Sequence, residues 1–251
     1  MKSKLIEGKK TIVTGASKGI GKEIALMLAS EGADVIINGN NIDQLEDVRK
    51  QIEALGRRCL IVPGDISDID TSLRLRDCVE KEFGRVDILV NNAGINDRTK
   101  TLSMDLDQWQ RVMDINLNGV LYTCKTMIPL MKEVHSGCIV NITSANGVTP
   151  HPNAAPSYGA SKAGVTYLTR HFANEFAADN IRVNAVQCGP IESDMTKQWT
   201  PEYREQSLSR IPLHRLGTAR DVAMAVLFLV SDMSEFITGT SLNLSGGKLM
   251  Y

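Results

Sequence analysis

The 251-residue sequence predicts a single α/β domain built on one doubly wound, mostly parallel seven-stranded sheet flanked by helices. Three observations predict it. Short apolar runs of strand length recur along the whole chain, segments with a helical hydrophobic period lie between them, and no linker, repeat or low-complexity stretch divides the sequence.

The runs, in order, are Thr11-Ile12-Val13, Val35-Ile36-Ile37, Leu60-Ile61-Val62, Ile88-Leu89-Val90, Ile139-Val140-Asn141-Ile142 and Val183-Asn184-Ala185-Val186, with a last one over 241–244. They are largely continuous rather than alternating, as expected of parallel strands buried on both faces. Ile20, Ile24 and Leu28 recur at helical spacing after the first run, as do Leu45, Val48, Ile52 and Leu55 after the second. Further helices are expected over 106–127 and 157–178, their apolar residues facing the sheet or a second copy of the chain. The one long irregular region, 191–215, carries Trp199, Pro201, Tyr203 and Pro212, and an excursion of that length predicts a substrate lid.

Composition narrows the function. Hydrophobic residues make up 43% of the chain, enough for a sizeable core. Lysine and arginine total 28 against 29 acids, and no basic run marks a surface for nucleic acid or an anionic membrane, so small-molecule chemistry is expected. The five cysteines are odd in number and lack CxxC pairing, which suits buried thiols in a reducing compartment. The four histidines lack zinc-site spacing, so no metal is expected. The N-terminus lacks a signal-peptide core, and the longest apolar run, 222–230, is far short of the ~20 residues that span a bilayer, so a cytoplasmic protein is expected.

Two local patterns carry chemistry. Gly15, Gly19 and Gly21 in Thr14-Gly15-Ala16-Ser17-Lys18-Gly19-Ile20-Gly21 stand between the first strand and the first helix, where backbone N–H groups and the helix start can meet a pyrophosphate; they could otherwise serve only a tight turn. Tyr158 and Lys162 stand four apart, on one helix face, with Ser144 upstream. A phenol with a pKa near ~10 is a poor proton carrier at neutral pH, and an ammonium beside it is expected to favour the phenolate. Tyr158 then becomes a usable general acid or base. The plainer alternatives are a surface tyrosine, a solvated lysine and a loop-capping serine.

Together with Asn91-Asn92-Ala93-Gly94 and Gly189-Pro190-Ile191, these motifs resemble the short-chain dehydrogenase/reductase family over the whole chain. The resemblance implies one Rossmann-type domain over residues 1–251 that transfers hydride between NAD(H) or NADP(H) and a carbonyl or secondary alcohol. It implies a catalytic tetrad of Asn116, Ser144, Tyr158 and Lys162: Tyr158 gives the proton, Ser144 holds the carbonyl oxygen, Lys162 binds the nicotinamide ribose and tunes Tyr158, and Asn116 supports a water leading to Lys162. For the cofactor it implies contacts from Gly15, Ser17, Lys18, Gly19, Ile20 and Gly21, from Asn38 and Asn40, from Asp65 and Ile66, from Asn92, Ala93 and Gly94, from Tyr158 and Lys162, and from Pro190, Ile191 and Ser193. Asp65 would meet the adenine amino group, or serve as a turn residue.

The segment Asn38-Gly39-Asn40-Asn41 offers no carboxylate to repel a 2′-phosphate and Lys18 offers a cation, so NADP(H) is the expected cofactor with NAD(H) the alternative, although Asn40 stands where many NADP-using relatives carry arginine. Ala93-Gly94-Ile95, the run Ile191-Glu192-Ser193-Asp194-Met195-Thr196 and the ending Gly246-Gly247-Lys248-Leu249-Met250-Tyr251 resemble the 3-oxoacyl-[acyl-carrier-protein] reductases. A 3-oxoacyl thioester substrate and a homotetramer or homodimer follow from that. Against a carrier-protein partner, His135 and Asp179 stand where arginines would help, with Lys132 and Arg182 nearby to compensate. A sugar-acid, polyol or steroid-type secondary alcohol is the alternative substrate, with His151 and Asn153 candidates for polar contacts; a cofactor-binding regulator is the non-enzymatic alternative.

Overall fold

A computed structural model of the chain describes residues 4–151, 154–193 and 196–250, apart from the side chain of Lys197. Asn153, Asp194, Met195 and Tyr251 lie outside the described residues. Seven strands form one sheet: β1 (Lys10–Val13), β2 (Asp34–Gly39), β3 (Cys59–Pro63), β4 (Ile88–Asn91), β5 (Gly137–Ser144), β6 (Ile181–Cys188) and β7 (Ser241–Leu244), in the order β3-β2-β1-β4-β5-β6-β7. Every neighbouring pair is parallel, so the sheet is parallel throughout and not merely for the most part.

Alternation along each strand divides the core in two. Val13, Val35, Ile37, Val90 and Val140 pack beneath α1 (Gly19–Ser30), α2 (Ile42–Ala54) and α8 (Ala219–Val230). Ile12, Ile36, Leu89, Ile139 and Val183 point the other way, toward α3 (Ile69–Glu82), α5 (Gly119–Glu133) and α6 (Pro156–Phe176). Strands covered on both faces have to be apolar at consecutive positions, which is why the sequence showed runs and not alternation.

Helix starts follow their local chemistry. Asn41 accepts from Gln44 N at 2.9 Å, Asp68 from Asp70 N at 3.0 Å, and Thr218 with Asp221 forms a capping box on α8. By contrast α1 begins after Lys18, whose backbone is extended and whose side chain caps nothing. Its N–H groups face the carboxyl edge of the sheet where the strand order reverses between β1 and β4, the usual ligand crevice of such a sheet.

Two expected elements differ. The helix expected over 106–127 is α4 (Leu106–Met113), then a π-helical turn (Asp114–Asn118), then α5. A π-turn adds one residue to a helical repeat and frequently marks a functional site, and its signature is tertiary packing rather than sequence period. The irregular stretch 191–215 contains a short 3₁₀ turn (Thr196–Gln198) and α7 (Pro201–Leu208).

Candidate active site

The loop between β1 and α1 is held rigidly from below. Thr14 Oγ1 accepts from Asn92 N at 3.0 Å and Ala93 N at 3.1 Å, while Asn92 Nδ2 donates to the carbonyls of Thr14 and Gly15, each at 3.0 Å. Gly19 has φ +59 and open space where a Cβ would stand, so the mouth of the helix is unobstructed. An uncapped helix start of this kind fits the pyrophosphate of a dinucleotide.

At the adenosine end the expected residues fall into two groups. Lys18 and Asn40 are exposed beside the loop. Asn38 is buried and its Nδ2 donates to Val62 O at 3.0 Å and Gly64 O at 3.1 Å, tying β2 to the end of β3. Asp65 Oδ1 accepts from Ser67 N at 2.9 Å and Ser67 Oγ at 2.7 Å, and Oδ2 pairs with Arg111. Burial opposes the Asp65 charge, but these contacts outweigh it and hold the carboxyl below the usual range. Ile66 is buried under Gly119.

At the other end Ser144 terminates β5 and Tyr158 and Lys162 extend from the first turns of α6. Tyr158 is hydrogen-bonded to Ser144, and Ser144 Oγ also accepts from Asn146 N at 3.2 Å. Lys162 is 6% exposed, its Nζ donating to Ile142 O at 2.9 Å and lying 6.0 Å from the centre of the Tyr158 ring. The expected tuning of the phenol by the ammonium is not what this geometry produces. Burial pushes the Tyr158 phenol up, with the Ser144 hydrogen bond opposing, and burial pushes Lys162 down to about 8. Desolvation disfavours both charged forms, so the pair favours a neutral phenol.

Asn116 lies in the π-turn, fully buried. Its Nδ2 donates to Ile95 O at 2.9 Å and Ser161 Oγ at 3.1 Å, and its Oδ1 accepts from Ile95 N at 2.8 Å. Three of the four bonding positions of the amide are thus taken, leaving one Oδ1 lone pair for a water. A Cβ on Gly94 would stand 3.2 Å from Asn116 Oδ1 and 3.4 Å from Lys162 Nζ, so only glycine leaves the gap between them open.

A cavity of about 250 Å³ opens beside Ser144 and is walled by Cys188, His151, Trp199 and Tyr203 among others. Trp199 and Tyr203 meet edge to face at 5.0 Å between ring centres. The segment they occupy is anchored where Glu192 N donates to Gly217 O at 2.8 Å and Gly217 N to Pro190 O at 3.0 Å, beside a bridge between Ile191 and Gly217. Ser193 N donates to Thr196 Oγ1 at 2.8 Å. Cys188 pairs with Ser144 across β6 and β5, and burial pushes its thiol up to about 12. Sequence reasoning missed Thr14 as the clamp of the loop and Lys248 as part of the cavity wall, 104 positions beyond Ser144 and visible only once β5 and the C-terminal segment are packed together.

Two cations expected to compensate on the outer surface are otherwise engaged. Lys132 pairs with Asp179 at 3.0 Å, and Arg182 donates to Ser234 Oγ and Ile237 O, both at 3.2 Å. Among the described residues no group of three or more His, Cys, Asp or Glu could hold a metal ion, and no helix is long and apolar enough to cross a membrane.

The chain is similar in sequence and fold to known proteins. A family model described as "Enoyl-(Acyl carrier protein) reductase" matches residues 15–248. The 3-oxoacyl-[acyl-carrier-protein] reductase FabG of Thermotoga maritima is 39% identical over 245 residues, spanning 98% of this chain and 99% of that one. The enzyme of the same name from Staphylococcus aureus Mu50 is 40% identical over 243 residues, 96% and 98% of the two chains. A crystal structure of 3-oxoacyl-[acyl-carrier protein] reductase from Brucella melitensis superposes with a TM-score of 0.93 at 33% identity, covering 98% of this chain and 93% of the other. Likeness of this extent in sequence and fold makes the chain a member of the short-chain dehydrogenase/reductase family, an NAD(P)-dependent oxidoreductase acting on a carbonyl or the corresponding secondary alcohol.

Proposed function

We propose that the protein reduces the ketone of a 3-oxoacyl thioester with NADPH, using Ser144, Tyr158, Lys162 and Asn116. The hydrogen bond between Tyr158 and Ser144 at the cavity wall, with Lys162 buried behind it, carries this reading. A carbonyl oxygen between the two hydroxyls receives one hydrogen bond from Ser144 and the proton of Tyr158. A phenol held neutral by burial suits the reducing direction, because the proton to be given is already in place. Lys162 Nζ donates to Ile142 O and lies beside Gly94, and its remaining donors suit ribose hydroxyls, while the remaining Asn116 lone pair suits a water that reprotonates the relay. When bound, the nicotinamide supplies the hydride.

The α1 start with Gly15, Ser17, Gly19, Ile20 and Gly21 would hold the pyrophosphate. Asp65, Ile66, Asn92, Ala93 and Gly94 would flank the adenosine, with Asn38 acting through the shape of the strand ends. Pro190, Ile191 and Ser193 would flank the nicotinamide. Preference for NADPH follows from exposed Lys18 and from the absence of a carboxylate in 38–41, the first one, Asp43, standing in the first turn of α2. Residues 191–215 would serve as the lid, and Leu106, Leu121 and Tyr167, exposed on α4, α5 and α6, suit a homodimeric or homotetrameric contact.

The names of the relatives favour the thioester. A free acid bearing the ketone is the second reading, favoured because Asp179 neutralises Lys132 and the Nη1 of Arg182 is tied to Ser234 and Ile237, which weakens that surface as a dock for an acidic carrier protein. Nicotinamide absorbance with NADPH and NADH over 3-oxoacyl thioesters, keto-sugar acids and cyclic ketones tests both, with Tyr158→Phe beside the wild type. Consumption of NADPH with the thioester, lost in the variant, supports the proposal; turnover of the other classes alone refutes the thioester.

A further inference from the structure

The adenine end of the proposed cofactor site holds a contact that its own loop does not require. Asp65 follows β3 in a turn closed by Asp68 N, which donates to Asp65 O at 3.1 Å. Within that turn Asp65 Oδ1 accepts from Ser67 N at 2.9 Å and Ser67 Oγ at 2.7 Å, the ordinary use of an aspartate in a tight turn. Its second oxygen is reached from another element. Arg111, 46 positions on and in the last turn of α4, donates through Nη2 to Asp65 Oδ2 and through Nη1 to Ser67 Oγ at 3.0 Å. Both contacts come from one planar guanidinium, so the carboxylate and the hydroxyl beside it are gripped in a single orientation. The helices that follow Arg111 are also fixed on the loop. A Cβ on Gly119, the first residue of α5, would stand 2.9 Å from Ile66 Cγ2 and 3.1 Å from Ile66 O, so α5 starts directly against the residue after Asp65.

Stability does not account for the pair. The side chains of Arg111 and Asp65 are 48% and 29% exposed, and ion pairs of that exposure add little to folding. What the pair decides is the number and direction of the acceptors left on the carboxylate. Burial opposes the charge, but the Ser67 bonds and then Arg111 hold the carboxyl below its usual range, so at neutral pH it accepts and does not donate. Each of its oxygens has two lone pairs. Ser67 takes both on Oδ1 and Arg111 takes one on Oδ2. Among the described residues this leaves one acceptor position, on Oδ2, its direction set by the arginine on the same oxygen.

We propose that Arg111 is a positioning residue of the cofactor site, aiming the one open acceptor of Asp65 at the 6-position of the cofactor's purine and thereby selecting a 6-amino group over a 6-oxo group. This role rests on the reading above that places the adenosine against Asp65 and Ile66. An amino group offers an N–H to the open acceptor, whereas an oxo group sets lone pair against lone pair. Because the carboxylate is pinned before the cofactor arrives, little side-chain freedom is lost when the contact forms.

Equilibrium binding tests this without turnover. Kd is read from nicotinamide fluorescence for NADPH and for reduced nicotinamide hypoxanthine dinucleotide phosphate, which differ only in the purine. The corresponding pair without the 2′-phosphate is run beside them, so that preference at the ribose does not enter. The wild type is expected to bind the adenine cofactor about tenfold more tightly, as one hydrogen bond to a charged acceptor would produce. In Arg111→Met the ratio should fall to about twofold or threefold, because a freed carboxylate has to be ordered on binding. The urea midpoint of that variant should stay close to the wild type, as the exposure of the pair requires. Asp65→Asn is the control on the adenine placement: with its Oδ1 kept on Ser67 it turns an Nδ2 donor toward the purine, and the ratio should drop to one or below. A wild type that binds both purines equally, or an Asp65→Asn ratio unchanged from the wild type, sinks the adenine placement and the role of Arg111 with it. A preference abolished in Asp65→Asn but unchanged or increased in Arg111→Met leaves the placement standing and overturns the role of Arg111. Affinity lost equally for both purines in Arg111→Met overturns it too, since that is the mark of a merely structural contact.

Discussion

Replacing Lys162 by methionine should stabilise the cofactor-free protein while abolishing its activity. The ammonium is 6% exposed and its one protein hydrogen bond in view goes to Ile142 O. Burial lowers its pKa from 10.5 to about 8, so holding the charge in place at pH 7 costs on the order of 3 kcal/mol. Methionine fills a similar linear volume without that cost and gives up about 1 kcal/mol of net hydrogen bonding. The expected gain is therefore about 1–2 kcal/mol, or roughly 2–8 °C in Tm for a chain of this length. The pH dependence separates this origin from any other. Between about 8 and 10.5 the unfolded chain holds the lysine proton and the folded chain does not, so wild-type stability rises with pH across that window. Lys162→Met removes this rise, so its advantage at pH 7 is lost as the pH climbs and by pH 10 the wild type is the more stable by about 1 kcal/mol, the hydrogen bond that methionine cannot make. Urea unfolding at pH 7 and at pH 10, with turnover measured in parallel, tests it. A variant less stable than the wild type at pH 7, or one that keeps the alkaline gain, would refute the claim that desolvation dominates at this lysine.

Other consequences follow from the same geometry. Tyr158→Phe should lower kcat by about 10²–10⁴-fold while NADPH affinity, titrated by nicotinamide fluorescence, stays within about twofold, since only the proton donor is lost. Gly94→Ala places a Cβ 3.2 Å from Asn116 Oδ1 and 3.4 Å from Lys162 Nζ, and should cost about 1–3 kcal/mol of stability with a fall in kcat, measured by denaturant unfolding and initial rates. Asn38→Ala leaves the carbonyls of Val62 and Gly64 without their donor and should cost about 1–3 kcal/mol, read as a lower urea midpoint; an unchanged midpoint with weakened NADPH binding would assign Asn38 to the cofactor instead. Lys18→Ala should raise KM for NADPH about tenfold and leave KM for NADH unchanged, and equal effects on both would remove the phosphate contact.

Burial separates the polar residues that the sequence presents as equivalent. Asn38, Asn40, Asn92 and Asn116 all read as amides near glycines, yet Asn40 is exposed, Asn38 ties two strand ends, Asn92 clamps the glycine loop, and Asn116 joins the Ile95 loop to α6. The partners of Asn38, Asn92 and Asn116 lie 21 to 78 positions away.

By itself the sequence determined the parallel sheet, its strand order of appearance, the glycine-lined start of α1 and the placement of Tyr158 and Lys162 on one helix face. Those features rest on short-range regularities, apolar runs of strand length and a spacing of four, and local geometry follows from local spacing. Only the tertiary structure decided that the phenol is held neutral and Lys162 pushed down, because desolvation depends on atoms delivered by β5, β6 and the loop after β4 together. It likewise decided that Arg98, His151 and Lys248, spread over 151 positions, converge on one cavity. Charge acts through distance in space, and the folded sheet is what converts distance along the chain into distance in space.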